Sequence, residues 1–292
     1  MNDTITAAFV RQFHDSWILD AQQRESRLQA TVHDSGSITG SSFTANKLGA
    51  TEANDVTNRL GDTVWTNQDH STRIALMQDK DWSTPVDSFD VPKLLAQPNG
   101  AYMQNGIAAL NRKKDSVIYA GLIGAALART EEEGPYTTVV LPSSQKILSG
   151  GQGMTKAKLL IAKKRFRQNE ADEHNGKQLY MLFDGEMLED LLSDTTLTSA
   201  DFMAVKMLQS GDISGKWLGF TWIPYEALLT VGNTRTTAAY TKDALHFGIG
   251  MNRTIDVGPR RDKKNATQIY AQESYGGVRV AEDEVVTIEF DA

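Results

Sequence analysis

Five histidines could support acid–base or metal chemistry, but His14, His33, His70, His174 and His246 are scattered, with no pair at helical ligand spacing. A metal site built on them would need the tertiary fold to bring them together. Asp79, Asp81 and Ser83 begin like a calcium loop. Thr84, however, stands where that loop needs glycine, and Asp90 replaces its bidentate glutamate, so a turn with solvated acids is expected. Residues 149–156, Ser-Gly-Gly-Gln-Gly-Met-Thr-Lys, suggest a phosphate loop. They lack its GxxxxGK[ST] order and no clear buried strand leads into them, which leaves a flexible glycine loop. Lys156, Lys158, Lys163, Lys164, Arg165 and Arg167 form a basic, helix-like run beside Leu159, Leu160 and Ile161. That pattern suggests one buried and one solvated face, balanced by the acids of residues 169–173. There is no GxSxG elbow and no dinucleotide fingerprint. The absence of cysteine excludes disulfides, thiolate zinc sites and cysteine nucleophiles. Nothing here calls for a cofactor, a metal or catalysis, and a non-enzymatic role is expected.

The bulk numbers agree. The 292 residues are 40% hydrophobic and 23% charged, ordinary for a globular chain with a sizeable core. A net charge of −7 argues against a general nucleic-acid binder. The N-terminus lacks the basic-then-apolar pattern of a signal peptide. The longest apolar run, residues 117–127, is too short to span a bilayer, so a cytoplasmic site of synthesis is expected.

The elements that would position any functional side chain are unequal. Ile5, Phe9, Phe13 and Trp17 recur every four residues, a helical apolar stripe over residues 4–19. It either docks on its own domain or is buried on a neighbour. Residues 20–27 are polar and still helix-compatible. In residues 31–73, Leu, Ile, Val and Phe are represented only by Val32, Ile38, Phe43, Leu48, Val56, Leu60 and Val64, too few for a core. With short strands at 42–44 and 63–66, this reads as a long exposed β-hairpin arm that finds its burial on another chain; plain disorder is the simpler rival. A strand at 74–77 follows, then Pro92 and Pro98 as breaks. Residues 101–129 are free of proline and predict a helix of roughly 40 Å, with a charged stretch at 111–115 where a break could fall. The second half reads as α+β. Strands are expected at 137–141, 178–183 and 216–223. Helices are expected at 187–192, at 201–208 (Thr198 in a capping box and Gly211 after the stop) and at 238–247. Strands close the chain at 253–257, 266–272 and 285–290.

The order of these elements carries a resemblance. His70-Ser71-Thr72-Arg73 leads through Trp82 to Pro98-Asn99-Gly100-Ala101-Tyr102, then Asn111-Arg112-Lys113-Lys114-Asp115 and Ala120-Gly121-Leu122-Ile123-Gly124. Gly219-Phe220-Thr221-Trp222-Ile223, Arg253-Thr254-Ile255-Asp256-Val257 and Tyr275-Gly276-Gly277-Val278-Arg279-Val280 follow. Over residues 30–290 the chain resembles the major capsid proteins of tailed bacteriophages, with the Hong Kong 97-type α+β fold. The resemblance implies an N-terminal arm (1–39) and an E-loop (40–70) lying over an adjacent subunit. It further implies a peripheral domain with a long spine helix (71–134), an axial domain (135–252) and return strands to the peripheral domain (253–292) that include a three-fold loop. Subunit interfaces would then use Phe9, Phe13, Trp17, Phe43, Lys47, Arg59, Trp65, Arg260, Arg261 and Lys263. Implied partners are further copies in hexamers and pentamers, a portal, a decoration protein and packaged DNA held non-specifically, with no membrane. About 35 residues precede the arm, so scaffolding is expected from a separate protein. The place would be the virion, after assembly in the host cytoplasm. An encapsulin-like nanocompartment shell shares the fold. An oligomeric enzyme and a tail or decoration protein are the rivals of other classes.

Overall fold

The computed structural model describes residues 19–56, 58–59, 61–86, 99–131, 134–193, 213 and 215–292. In chain order the strands are β1 (His33–Ser37), β2 (Ser42–Leu48), β3 (His70–Leu76) and β4 (Gln78–Val86), followed by helix α1 (Asn99–Ile123). Next come β5 (Ala126–Arg129), β6 (Thr137–Val139), β7 (Lys146–Ile147), α2 (Lys156–Gln168), β8 (Leu179–Phe183) and α3 (Gly185–Ser193). The chain ends with β9 (Lys216–Trp217), β10 (Phe220–Pro224), β11 (Leu229–Val231), β12 (Thr234–Thr241), β13 (Leu245–Arg260), β14 (Ala266–Arg279) and β15 (Val285–Asp291). These form three sheets, ordered β1-β13-β14-β4, β2-β3-β5-β6 and β7-β15-β12-β8-β10-β9, with β11 added to β12.

The chain divides into two compact units. One holds the described residues up to Glu25 with those of Asp79–Lys113 and Asn252–Glu273; the other holds Ser26–Gln78, Lys114–Met251 and Ser274–Ala292. In the first, Trp82 of β4 lies on α1 at Gly106, where a Cβ would come within 2.3 Å of the indole. Only glycine allows that approach. The second contains the main core. β8 and β15 are buried on both faces, as their near-continuous apolar sequences require of central strands. Helix α2 lays Leu159, Ala162 and Phe166 on this sheet, and Phe166 meets Phe220 edge to face at 5.9 Å. Arg279, fully buried, donates to the carbonyls of Leu122 and Gly124 at 2.8 and 2.5 Å. It thereby satisfies acceptors left open where α1 stops.

Several expectations change. The helix expected at 238–247 is instead the end of β12, a 3-10 turn and the start of β13. Ala238 and Ala239 suit a helix by propensity, but here they are fully buried in β12, which pairs with β15 and β8. Pairing on both sides overrides propensity. Residues 20–27 are irregular rather than helical, and 63–66 form no strand. Helix α1 runs unbroken through 111–115 and ends before β5, so 126–129 is strand. Leu218 and Gly219, both at positive φ, split the strand expected at 216–223 into β9 and β10. Asp79, Asp81 and Ser83 lie along β4 rather than in a turn. β15, expected among the peripheral return strands, pairs instead with β12 and β7 in the large sheet. The stripe Ile5, Phe9, Phe13 and Trp17, the prolines 92 and 98, and the helix at 201–208 with Thr198 and Gly211 lie outside the described residues.

Candidate assembly surfaces

The arm is a hairpin. β2 and β3 pair from Ser42↔Leu76 to Leu48↔His70, and Gly49 N–H donates to the Asp69 carbonyl at 2.8 Å to close the stem. The root is fastened within its own chain. Phe43 packs against Ala45, Ala75, Ala126, Val278 and Val280. Ile38 N–H donates to the Ile249 carbonyl at 2.8 Å, beside Gly248, where any Cβ would strike Ile38 and Phe43. Beneath the stem, Arg73 holds both carboxylate oxygens of Glu282 at 3.0 and 3.1 Å, and Lys47 reaches the same carboxylate at 3.2 Å. Burial alone would raise the Glu282 carboxyl, but Arg73 and Lys47 outweigh it and hold the group below its ordinary value.

The tip is different. Beyond Gly49 the described residues as far as Asp69 carry no regular structure, and all are exposed. Trp65 is 89% exposed, Val56 86% and Val64 70%. Burying a valine side chain stabilises by about 1.5–3 kcal/mol and an indole covers still more area, so this segment forgoes a large apolar gain within its own chain. Arg59 is exposed there too.

A second feature is the hairpin of β13 and β14, whose turn carries Arg260, Arg261, Lys263 and Lys264. Arg260 is bidentate to Asp262 at 2.8 and 2.9 Å and also reaches Gln268 at 2.8 Å. Arg260 beside it holds the Asp262 carboxyl down at about 2. Arg261 and Lys263 are exposed.

The charged middle of α1 serves the N-terminal segment. Asn111 donates to the Arg24 carbonyl at 2.7 Å, and Arg112 to Gln22 at 2.6 Å. Asp115, fully buried, accepts from Ser26 Oγ at 2.5 Å, Arg27 N–H at 2.9 Å and Leu28 N–H at 3.2 Å. Residues 22–28 therefore run along the helix, held by polar groups that a sequence reading takes for a break.

The candidate chemical motifs resolve into structure. In the glycine loop, Lys158 donates to the carbonyls of Gln152, Gly153 and Glu289 at 2.8–3.0 Å, and Asp190 accepts from Met154 N–H. Lys158, two residues beyond the loop in α2, thus pins the loop's far end. Lys163 and Arg167 pair with Glu173 and Asp172. Leu159 is buried as expected, but Leu160 and Ile161 face outward, as do Leu229 and Val231 of β11. Tyr119 is pushed up to about 12 by burial; its hydroxyl donates to the Thr236 carbonyl and accepts from Leu229 N–H, a tie between elements rather than a base. Among the described residues no group of three or more His, Asp or Glu could hold a metal ion, and no helix is long and apolar enough to cross a membrane.

Of the residues singled out by sequence, Phe43 and Lys47 have partners in their own chain, while Arg59, Trp65, Arg261 and Lys263 face outward. Phe9, Phe13 and Trp17 lie outside the described residues. Sequence reasoning missed Glu282, which sits 209 positions from Arg73 and has no local signature. It also missed the outward Leu160 and Ile161, which α2's helical phase could have flagged, being one and two positions after the buried Leu159.

A family model described as phage capsid protein matches residues 5–292. Among solved structures, a chain of Mycobacterium phage Che8 aligns with a TM-score of 0.71 and 19% identity, covering 96% of this chain and 97% of that one. The capsid of Ralstonia phage GP4 aligns at 0.70 with 9% identity, covering 97% and 95%. The capsid structure of cyanophage P-SCSP1u aligns at 0.68 with 13% identity, covering 97% and 93%. No curated protein matches. The α+β fold of the Hong Kong 97 type is the fold of this chain.

Proposed function

The chain belongs to the phage capsid protein family, as a structural major capsid protein of a tailed bacteriophage, and from that premise we propose that its copies build the pentamers and hexamers of an icosahedral head around double-stranded DNA. One observation supports this beyond family membership: a rooted hairpin ends in a segment whose Trp65, Val56 and Val64 are left to water. Exposed apolar groups gathered on one segment mark an interaction site. Shell subunits bury large obligate interfaces, on the order of 2,000–5,000 Å² or more, so such a segment is expected before assembly.

In this reading residues 1–39 are the N-terminal arm, 40–70 the E-loop and 71–134 the peripheral domain. Residues 135–252 are the axial domain meeting its copies at capsomer centres, and the loop at 258–264 lies near local three-fold axes. Phe9, Phe13, Trp17, Arg59, Trp65, Arg260, Arg261 and Lys263 contact neighbouring copies, with Phe43 and Lys47 setting the arm's root. Assembly takes place in the host cytoplasm with a separate scaffolding protein, a portal and a decoration protein, and DNA is contacted non-specifically. The chain's role is structural rather than enzymatic.

Negative-stain electron microscopy of the full chain, expressed alone and with its neighbouring genes, tests this. Closed shells, tubes or five- and six-membered rings are expected. A discrete dimer or tetramer under both conditions overturns the reading, and shells filled with protein cargo redirect it to a nanocompartment.

A further inference from the structure

Strand β1, at the edge of its sheet, is weakly held. Its sequence, His-Asp-Ser-Gly-Ser, has no aliphatic side chain, and none of its residues is buried. It pairs in parallel with β13 at His33↔His246, Asp34↔Phe247 and Ser37↔Ile249, and the register slips between Asp34 and Ser37. Ser35 Oγ is buried without a hydrogen-bond partner among the described residues, which weakens the strand further. Against this stands one ring contact. At the first register position the imidazoles of His33 and His246 stack, with centroids 4.2 Å apart and planes at 28°.

The groups around the stack are charged. Asp243, on the turn between β12 and β13, lies 4.0 Å from His33 Nδ1, while its other oxygen is taken by Lys177 at 2.8 Å. Lys177 also reaches Glu284, on the turn before β15, at 3.1 Å, and that carboxylate accepts from Thr241 Oγ. Of the other acids on that turn, Glu282 is taken by Arg73 and Lys47, and Asp283 is exposed. Asp34 accepts from Gly36 N–H at 2.8 Å, and Lys242 lines the same depression as Asp34. On the far side of β13, β14 contributes Gly277, and its Arg279 is engaged with the end of α1. With both rings neutral, Lys177 and Lys242 face Asp34, Asp243 and Glu284, a net charge of −1. One proton is therefore tolerated, but a second makes the cluster positive and stacks cation on cation. Burial, and then His33 beside it, hold His246 below its ordinary 6.5, with Asp243 opposing them.

We propose that the His33–His246 stack is an acid-released latch, which holds β1 to β13 while its rings are neutral and lets residues 33–38 part from the sheet when both are protonated. Thr31 Oγ stays bonded to the Tyr240 hydroxyl at 2.6 Å and Phe43 stays packed, so the release is confined between them. It adds slack to the connection that leads into the arm. The sign follows from the direction of the shift. A base held below its ordinary value takes its proton more readily once detached, so the latch is complete above about pH 6.5 and gives way as the pH falls below it. The device works within a single chain and does not depend on the shell reading.

Hydrogen exchange of the full chain, followed by mass spectrometry from about pH 7.5 to about pH 5 and corrected for the intrinsic exchange rate, tests this above the range in which carboxylates titrate. Protection of the amides of residues 34–38 is expected to fall by about tenfold per pH unit below 6.5 until His246 takes its own proton, while β12 and β15 hold theirs. His246→Phe keeps a ring in the stack without a charge, and its protection is expected to stay level. Protection that is level in the wild type, or that falls equally in His246→Phe, overturns the proposal. Should that variant fail to fold, His33→Phe decides from the exposed position. It removes the second cation and is expected to shrink the fall, and an undiminished fall overturns the latch.

Discussion

The two ends of one hairpin, root and tip, are built in opposite ways. At the root, β2 and β3 are paired along their whole length, Phe43 is packed and Glu282 is held by two cations. At the tip, an indole and two valines face water, and net negative charge accumulates. The same chain segment thus spends its two ends on its own fold and keeps its middle for something else. A subunit that satisfied both ends internally would lose the arm as a surface for assembly.

Excising the tip tests this division most severely. Replacing residues 50–68 with a short Gly-Ser turn leaves the stem pairing and should preserve the circular dichroism spectrum while abolishing closed shells; normal shells would erase the distinction. Replacing Phe9 and Phe13 with Asp should likewise impair assembly and spare the fold, and a collapsed monomer would make that stripe part of its own domain. Phe220→Ala, in the core of the large sheet, should behave oppositely. A loss of about 3–5 kcal/mol in denaturant unfolding is expected from a fully buried phenylalanine.

Glu282→Gln probes the root, and should destabilise by about 3 kcal/mol, because Arg73 is left buried without its counter-charge. The pH dependence has a definite sign. Glu282 is held below its unfolded value of 4.5, so its contribution is complete above that pH and is lost as pH falls through the lower, folded value. The wild-type root should therefore loosen in acid below about pH 4.5, and this limb of an unfolding titration should vanish in Glu282→Gln. The smallest effect on the monomer belongs to Trp65→Ala. Its unfolding free energy should move by no more than about 0.5 kcal/mol, as for other exposed sites, while particle yield falls. A large loss of monomer stability would show that the tip is not held in reserve.

The outline of this contrast was legible without coordinates, because poverty of large aliphatics over residues 31–73 is a property of composition alone. Helices α1, α2 and α3, strands β8, β14 and β15, and the second half of β13 were likewise visible, since each keeps its period, or a run of apolar residues, over enough positions. The misreadings fall where a neighbour decides. Ala238 and Ala239 became strand because β15 and β8 flank them. The charged stretch 111–115 stayed helical because residues 22–29 neutralise it by hydrogen bonds.

By itself the sequence determined the absence of thiol chemistry, the weak core of the arm, the acidic tip, the basic turn and the periods of the main elements, all of which depend only on residue type and spacing along the chain. The tertiary structure decided which side chains are kept inside and which are left over. Glu282 meets Arg73 across 209 positions, and Leu159 goes inward while Leu160 and Ile161 go out. Pairings of that kind depend on how distant segments close on one another, and chain entropy makes such closure a matter of the whole fold rather than of any local pattern.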